Sequence, residues 1–170
     1  MISTRIQAAL SEQLNREFYS AYLYLAMSAY SSNADFNGAA SWLELQYEEE
    51  ILHATRIYRY LIDQAVPVRL QAIGEPPAEF GTLLEVFESS LRHEQAMTSG
   101  LNELSDLALA EKDHATYNLL QWFVNEQVEE EATLNGIIAK LRMVKGDGYG
   151  MLMVDNELGG RVPAPAKPAV

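Results

Sequence analysis

The sequence predicts an all-α protein: an up–down–down–up four-helix bundle with one long crossover and a short C-terminal fifth helix. Three observations predict it. Four long segments carry apolar residues at helical spacing and contain almost no Gly or Pro. Short connections join the first segment to the second and the third to the fourth, which favours antiparallel neighbours. A longer connection, rich in Pro and Gly, separates the two pairs.

The bounds of the first three helices follow from the periodic segments and, for the third, from a capping motif. The first two are predicted over residues 4–32 and 37–65, with a tight connection between them. The third is predicted over residues 82–111, since Thr82 and Glu85 form a Thr-x-x-Glu capping box at its start.

The connection over residues 66–81 is predicted to be the crossover. A helix of about 28 residues is about 42 Å long, and an extended segment of about 16 residues spans up to about 55 Å. The connection can therefore return along the whole bundle, which leaves the third helix parallel to the second.

The fourth helix is predicted to start behind Asp113, a residue type that favours the N-cap position. It is predicted to end at Lys145, because Gly146 suits the left-handed conformation that follows many helices. Residues 151–158 are predicted to form the short fifth helix. Their apolar cluster is too brief to fold alone, so we expect it to dock on the bundle or on another subunit.

The chain has 170 residues and the composition of one globular domain. We assign residues 1–160 to that domain and residues 161–170 to a Pro- and Ala-rich tail. Lys and Arg number 12 against 24 Asp and Glu, and the net charge of −12 argues against nucleic acid as a partner and permits cation handling. The sequence has no cysteine, which excludes thiolate metal sites and suits a reducing cytoplasm. We expect a cytoplasmic protein with neither an export signal nor a membrane span.

An acid lies in the middle of the apolar stripe of each predicted helix. Apolar residues lie three, four or seven positions from these acids, at the spacing of one helix face. The four acids are Glu17, Glu50, Glu94 and Glu130. Because helices of similar length pack with their midpoints at one level, we expect the four carboxylates to converge inside the bundle.

Four buried carboxylates are unfavourable unless their charge is compensated. Removing one ion from water costs several kcal/mol, whereas a whole domain is stable by only roughly 5–15 kcal/mol. Protonation of some of the acids is one solution, since a cluster of like charges raises pKa values. Bound metal is the better solution, because two divalent cations match four negative charges.

Glu50 and His53 narrow the choice of metal. They are three positions apart, so they project from one helix face towards the same ion. Mixed carboxylate and imidazole ligands suit iron, manganese or zinc better than calcium or magnesium. One metal position would use Glu17, Glu50 and His53; the other would use Glu50, Glu94 and Glu130. An ion held by carboxylates alone should leave readily, so we expect iron to pass through as a substrate.

These residues resemble those of bacterial non-haem ferritins over residues 5–158. The most specific parts are Glu17 with Tyr24, residues 47–53 (YEEEILH), Glu94, and residues 121–130 (QWFVNEQVEE). The resemblance implies a ferroxidase, in which two Fe(II) ions react with O₂ at a site within one subunit. Fe(III) then moves inward to form a ferric oxyhydroxide mineral. The resemblance also implies a homo-oligomeric shell of 24 subunits, whose four-fold axes are lined by the fifth helix.

The resemblance also assigns roles to individual residues. It implies that the paired irons are bound by Glu17, Glu50, His53, Glu94 and Glu130. A third iron site is implied at Glu49, Glu126 and Glu129. Tyr24 resembles a tyrosine close to the oxygen chemistry, and Gln127 a supporting group beside the ligands. Without the resemblance, Glu126, Glu129 and Glu131 are typical of a solvated acidic face. Tyr24 has a second interpretation, as a core tyrosine whose hydroxyl bonds to Glu17.

Two departures from related di-iron bundles are informative. Such bundles carry two Glu-x-x-His motifs, whereas the residue three positions after Glu130 is Thr133. Bacterioferritins have Met directly after the first Glu of the motif, and here that residue is Ile51, so we expect no haem. The acidic positions of the vertebrate three-fold pore fall on Tyr117 and Leu120, so the sequence does not define the iron entry route.

Two other functions compete with iron storage for a bundle of this kind. A di-iron peroxidase or oxygenase needs permanently held iron, which the missing second histidine disfavours. A purely structural bundle would keep its acids protonated or exposed. Of the other side chains, His93 and His114 are predicted to lie on the surface, and Trp122 to serve packing or an interface.

Overall fold

A computed structural model describes residues 2–163 of the chain. Within this range it contains five helices and no strand: α1 (Thr4–Asn33), α2 (Asn37–Asp63), α3 (Leu83–Ala110), α4 (His114–Val144) and α5 (Gly148–Gly159). The predicted all-α class is confirmed, as are the four long helices and the short fifth one. From position 164 onwards the predicted tail lies outside the described residues. Among the described helices, none combines the length and apolar character that crossing a membrane requires.

The predicted capping residues determine where α3 and α4 begin. Thr82 Oγ1 accepts a hydrogen bond from the Glu85 backbone N–H at 3.3 Å, and Glu85 Oε2 accepts one from the Thr82 N–H at 2.7 Å. Asp113 Oδ1 accepts from the Thr116 N–H at 3.1 Å at the start of α4. Each bond satisfies a backbone group that the first helical turn leaves without a partner.

Two helices differ from prediction by two residues or more at one end. α2 stops before residue 65, because Ala65 adopts a left-handed conformation with φ of 57° that no helix accommodates. α5 begins at Gly148, earlier than predicted, because the Asp147 side chain accepts a hydrogen bond from the Gly150 N–H and caps the helix. Asp is a favoured N-cap residue, so the sequence did contain this signal.

Cross-helix hydrogen bonds establish the topology. The Tyr24 hydroxyl bonds to Glu94 and the Tyr30 hydroxyl to Gly81, so α1 runs antiparallel to α3. Ser28 donates to the Ala40 carbonyl across the turn between α1 and α2, which makes those helices antiparallel as well. α3 is therefore parallel to α2, as the length of the crossover predicted.

The apolar core is divided into two halves. The half near α5 includes Tyr24, Leu43, Phe87 and Ile138. The half at the other end includes Leu10, Ile57, Leu101 and Phe123. On every long helix, the acid singled out from the sequence falls between the residues of these two halves. A polar layer therefore interrupts the core at mid-height.

α5 docks on the first turn of α2. Phe36, at the N-cap position of α2, provides no side-chain hydrogen bond. Asp155 of α5 takes its place by accepting from the Gly38 N–H at 3.1 Å and the Ala39 N–H at 2.8 Å. A Cβ on Gly38 would lie 1.8 Å from the Asp155 carbonyl oxygen, so only glycine permits this close approach.

Candidate metal centre

Four glutamates from four helices meet in the polar layer. Glu17, Glu50 and Glu94 are each about 1% exposed, and Glu130 is half-buried. Each sits at a position where helical periodicity calls for an apolar side chain, so folding directs all of them inward. The structure thus brings together the acids that the sequence singled out.

The carboxylates and one imidazole form two groups with the spacing of metal ligands. Glu17, Glu50 and His53 each offer one ligand atom, and these atoms lie within 4.8 Å of one another. Glu50, Glu94 and Glu130 form the second group by the same criterion. Because both groups contain Glu50, two ions bound here would be adjacent and could share that carboxylate.

His53 points towards the first group without hydrogen bonding to it. Its Nδ1 lies 3.7 Å from Glu50 Oε2 and 3.9 Å from Glu17 Oε2, too far for hydrogen bonds. First-row metal ions bind nitrogen and oxygen at about 2.0–2.2 Å, so an ion fits between these atoms. Trp122 and Phe123 pack edge-on against the imidazole, with ring centroids 5.4 and 5.7 Å away, and hold its orientation.

Two carboxylate oxygens of this layer are buried without a hydrogen-bond partner: Glu50 Oε1 and Glu130 Oε2. A buried polar atom with no partner costs about 1–3 kcal/mol, and more if it is charged. A bound cation would satisfy both oxygens, so the residues present suit metal better than an empty layer.

Burial also changes the proton affinity of the layer. It raises the pKa of Glu17 from 4.5 to about 8, with the charge of Glu50 as the next contribution. It raises the pKa of Glu50 and that of Glu130 well above the ordinary value, and neighbouring carboxylates add to both shifts. The metal-free layer therefore retains protons near neutral pH, and a binding cation must displace them.

Three glutamine amides hold the carboxylates. Gln13 Nε2 donates to Glu17 Oε1 at 2.8 Å. Gln127 Nε2 donates to Glu94 Oε2 at 3.1 Å, and Gln46 Nε2 to Glu130 Oε1 at 3.2 Å. Sequence reasoning identified Gln127 but missed Gln13 and Gln46. Both precede a core acid by four positions, and that spacing on a buried stripe was the available signal.

Tyr24 contacts a different acid from the one expected. Its hydroxyl donates to Glu94 Oε1 at 2.5 Å, so the expected bond to Glu17 is wrong. Tyr24 lies about two turns beyond Glu17 along α1, and its hydroxyl reaches across to α3 instead. Burial, followed by the charge of Glu94, raises the Tyr24 pKa, so the hydroxyl stays protonated and remains a donor.

The residues proposed for a third iron lie beside this layer. Glu49, Glu126 and Glu129 line a groove of about 610 Å³ between α2 and α4, and His53 and Glu130 line the same groove. Glu49 forms an ion pair with Arg161 at 2.6 Å. Among the described residues, the two ligand groups above include none of these three acids.

Of the side chains expected outside the site, one is placed differently. His114 is exposed, as predicted, but the surface position predicted for His93 is wrong. His93 is half-buried between α1 and α3, where its Nε2 lies 2.6 Å from Ser20 Oγ and its ring packs on Tyr19. Trp122 serves packing: its ring meets His53 edge-on and lies beneath the guanidinium of Arg56, 4.1 Å from the ring centroid.

Comparison with known proteins agrees with this geometry. The family model described as a ferritin-like domain matches residues 7–144. Bacterial non-heme ferritin of Escherichia coli O6:H1 is 39% identical over 158 residues, covering 93% of this chain and 96% of that protein. The same-named protein of Bacteroides fragilis strain 638R is 42% identical over 161 residues, covering 95% and 100%.

Solved structures show the same likeness. The open-pore ferritin of the archaeon Archaeoglobus fulgidus superposes with a TM-score of 0.93 at 42% identity, covering 95% of this chain and 98% of that one. A form of that ferritin engineered to be closed superposes with a TM-score of 0.94 at 41% identity, covering 96% and 100%.

Proposed function

This chain belongs to the ferritin family, whose members store iron, and from that premise we propose that it is a ferroxidase. It oxidises Fe(II) with O₂ within one subunit and delivers Fe(III) to a ferric oxyhydroxide mineral. The proposed ligands of the iron pair are Glu17, Glu50, His53, Glu94 and Glu130. The observation that carries the proposal is the pair of ligand groups joined through Glu50.

Two adjacent Fe(II) ions suit the chemistry of oxygen. Each gives one electron, and together they reduce O₂ to hydrogen peroxide with the uptake of two protons. Glu17, Glu50 and Glu130 favour their protonated forms in the metal-free layer, so metal binding releases protons beside the reacting atoms. Tyr24 and Gln127 orient Glu94 by donating hydrogen bonds to its two carboxylate oxygens, Oε1 and Oε2 respectively.

The two positions differ in how firmly they hold iron. The first includes the imidazole of His53, whereas the second has carboxylates only. Glu130, a ligand of the second position, is half-buried and lines the groove that also contains Glu126 and Glu129. We propose that product leaves by this groove, which makes iron a substrate in transit rather than a permanent cofactor.

Assembly into a 24-subunit shell is part of the proposal. α5 presents Tyr149, Leu152 and Met153 with 72%, 55% and 56% of their surface exposed in the single chain. Three exposed apolar side chains on one short helix form a surface that is suited to contact with other copies of the chain. We place the shell in the cytoplasm, consistent with a cysteine-free sequence.

Replacement of Glu50 tests the proposal most directly, because Glu50 belongs to both ligand groups. In Glu50→Ala we expect the rate of aerobic Fe(II) oxidation, measured as the increase in ferric absorbance, to fall to the rate in buffer. Particle size should be unchanged. Glu44→Ala is the matched control, since Glu44 is exposed on the same helix, and it should oxidise Fe(II) like the parent. A Glu50→Ala protein that oxidises Fe(II) as fast as the parent would remove the site assignment.

A further inference from the structure

Arg161 follows α5, and its side chain reaches back to α2 beside the metal centre. Its backbone N–H donates to the Leu158 carbonyl at 3.1 Å, so the end of α5 holds the main chain. Its guanidinium lies over the Trp42 ring, 4.5 Å from the centroid, and Nη1 donates to the Trp42 carbonyl at 3.2 Å. Nη2 donates to Glu49 Oε2 at 2.6 Å. The side chain is therefore fixed against α2, and only 22% of it is exposed.

The same guanidinium determines which way the Gln46 amide faces. Nη1 of Arg161 donates to Gln46 Oε1 at 3.0 Å. Because a guanidinium has donors and no acceptor, the amide oxygen must face Arg161 and the NH₂ group must face the other way. Gln46 is 3% exposed, so bulk water does not compensate the opposite orientation, in which donors would face donors.

The NH₂ group of Gln46 faces the metal centre. Its Nε2 donates to Glu130 Oε1 at 3.2 Å, a bond that a carboxylate accepts and that an amide oxygen could not donate. The other oxygen, Glu130 Oε2, is buried with no hydrogen-bond partner among the described residues. Gln46 thus holds one oxygen of Glu130 and leaves the second for a cation. Hydrogen bonds therefore run without a break from Arg161, at the end of α5, through α2 to α4.

We propose that Arg161 is a positioning residue for the carboxylate-only metal position, and that it acts through Gln46 on Glu130. The inference rests on the proposed function, because that position is half of the proposed iron pair. Glu130 belongs to the second ligand group and not to the group that contains His53. Arg161 should therefore strengthen metal binding at the carboxylate-only position and leave the other position unaffected.

The sign of the effect separates positioning from the charge of Arg161. Repulsion between like charges weakens the binding of a cation near a guanidinium. If the charge alone mattered, Arg161→Ala would bind metal more tightly than the parent. Loss of a group that orients a ligand has the opposite effect, and it typically weakens metal binding by about 10–100-fold. Weaker binding in Arg161→Ala is therefore a result that loss of repulsion cannot produce.

Calorimetric titration with Zn²⁺ tests this without relying on catalysis. The parent should bind two ions per subunit, and the ion that Glu130→Ala loses or weakens is the one at the carboxylate-only position. In Arg161→Ala we expect that ion to bind about 10-fold more weakly and the other ion to bind as in the parent. The matched control is Arg142→Ala, because Arg142 pairs with Glu88 at 2.6 Å on the surface, and it should change neither affinity.

A double-mutant cycle tests whether the effect passes through Gln46. Gln46→Leu keeps the bulk of the side chain without its hydrogen bonds, so it should weaken binding of the same ion at least as much as Arg161→Ala does. If Arg161 acts through Gln46, adding Arg161→Ala to Gln46→Leu should cause no further loss. Losses that multiply in the double variant would overturn the inference, because they would show that the two residues act independently.

The outcomes separate this inference from the function on which it rests. A parent that binds fewer than two ions overturns the proposed function and the inference with it. A parent that binds two ions, with Arg161→Ala binding both as tightly or more tightly, overturns the inference alone. Equal weakening of both ions in Arg161→Ala does the same, because a general loss of structure has that effect. Circular dichroism and particle size establish that each variant is folded. If Arg161→Ala is not, Arg161→Met, which fills similar space without donors, decides.

Discussion

The Tyr24 hydroxyl donates a 2.5 Å hydrogen bond to Glu94 Oε1 across the bundle, from α1 to α3. The bond links a residue of the apolar half near α5 to a carboxylate of the polar layer. Because burial and the neighbouring carboxylates raise the Tyr24 pKa, the hydroxyl stays a donor throughout the neutral range. Glu94 is therefore oriented before any metal arrives.

Replacing Tyr24 tests what that orientation contributes. In Tyr24→Phe, Glu94 loses a donor in a buried place, and we expect the free energy of unfolding to fall by about 1–3 kcal/mol. Fe(II) oxidation should slow several-fold, while anaerobic Zn²⁺ binding stays at two ions per subunit. Tyr30→Phe is the control, since within residues 2–163 the Tyr30 hydroxyl bonds to the backbone of Gly81 and to no acid of the polar layer. Equal oxidation rates in the two variants would show that the Tyr24 hydroxyl has no part in the reaction.

Gln127 should affect the two metal positions unequally. Its amide donates to Glu94 Oε2 and to Thr98 Oγ1, and Glu94 belongs only to the carboxylate group. Loss of a group that orients a ligand typically costs about 10–100-fold in metal affinity. In Gln127→Ala we expect that loss for one of two Zn²⁺ ions, measured by calorimetry. Gln95→Ala, at an exposed site of α3, should leave both affinities unchanged, and an equal loss at both positions in Gln127→Ala would contradict the assignment.

The metal-free protein should become less stable as the pH rises. The Glu17 pKa is about 8 in the folded chain against 4.5 ordinarily, so the folded state binds more protons between these values. The stability that protonated Glu17 contributes is complete below about pH 4.5 and is lost as the pH rises through about 8. With chelator present, melting temperatures should fall over this interval, and Glu17→Gln should flatten the curve because an amide does not titrate. Parallel curves for the two proteins would contradict the shifted pKa.

We expect replacement of glycine by alanine to have opposite effects on stability at Gly38 and at Gly136. In Gly38→Ala the new Cβ would meet the Asp155 carbonyl oxygen, so α5 must move and both N–H groups that Asp155 caps lose their partner. We expect a loss of at least about 1 kcal/mol, since an N-cap alone is worth about 0.5–2 kcal/mol. Gly136 lies inside α4, and apart from its own helix backbone nothing in the described part of the chain comes within 4 Å of an added Cβ, so Gly136→Ala should stabilise by about 0.5–1 kcal/mol. Thermal unfolding measures both, and shifts of the same sign would contradict this account of α5 docking.

Sequence reasoning located the four acids because each breaks a local rule. Glu17 and Glu94 stand on stripes of apolar residues, and a charge in such a stripe demands compensation wherever the helix packs. The roles of Gln13 and Gln46 were not predicted, because a glutamine side chain is tolerated in solvent and also in a core where it is hydrogen-bonded. Its presence on a helix therefore does not show where it lies. The prediction for His93 was wrong for a related reason, since its position along α3 does not reveal that Ser20 of α1 lies opposite it.

By itself the sequence determined the helices, the N-caps of α3 and α4, the length of the crossover and the level at which the acids meet. These features depend on periodicity and on contacts within a few residues, and such contacts form in the same way in any helix. Only the tertiary structure decided that Tyr24 meets Glu94 rather than Glu17, and that Arg161 binds Glu49. Those partners lie 70 and 112 positions apart, and their contact depends on how whole helices rotate and dock, which side chains throughout the core decide together.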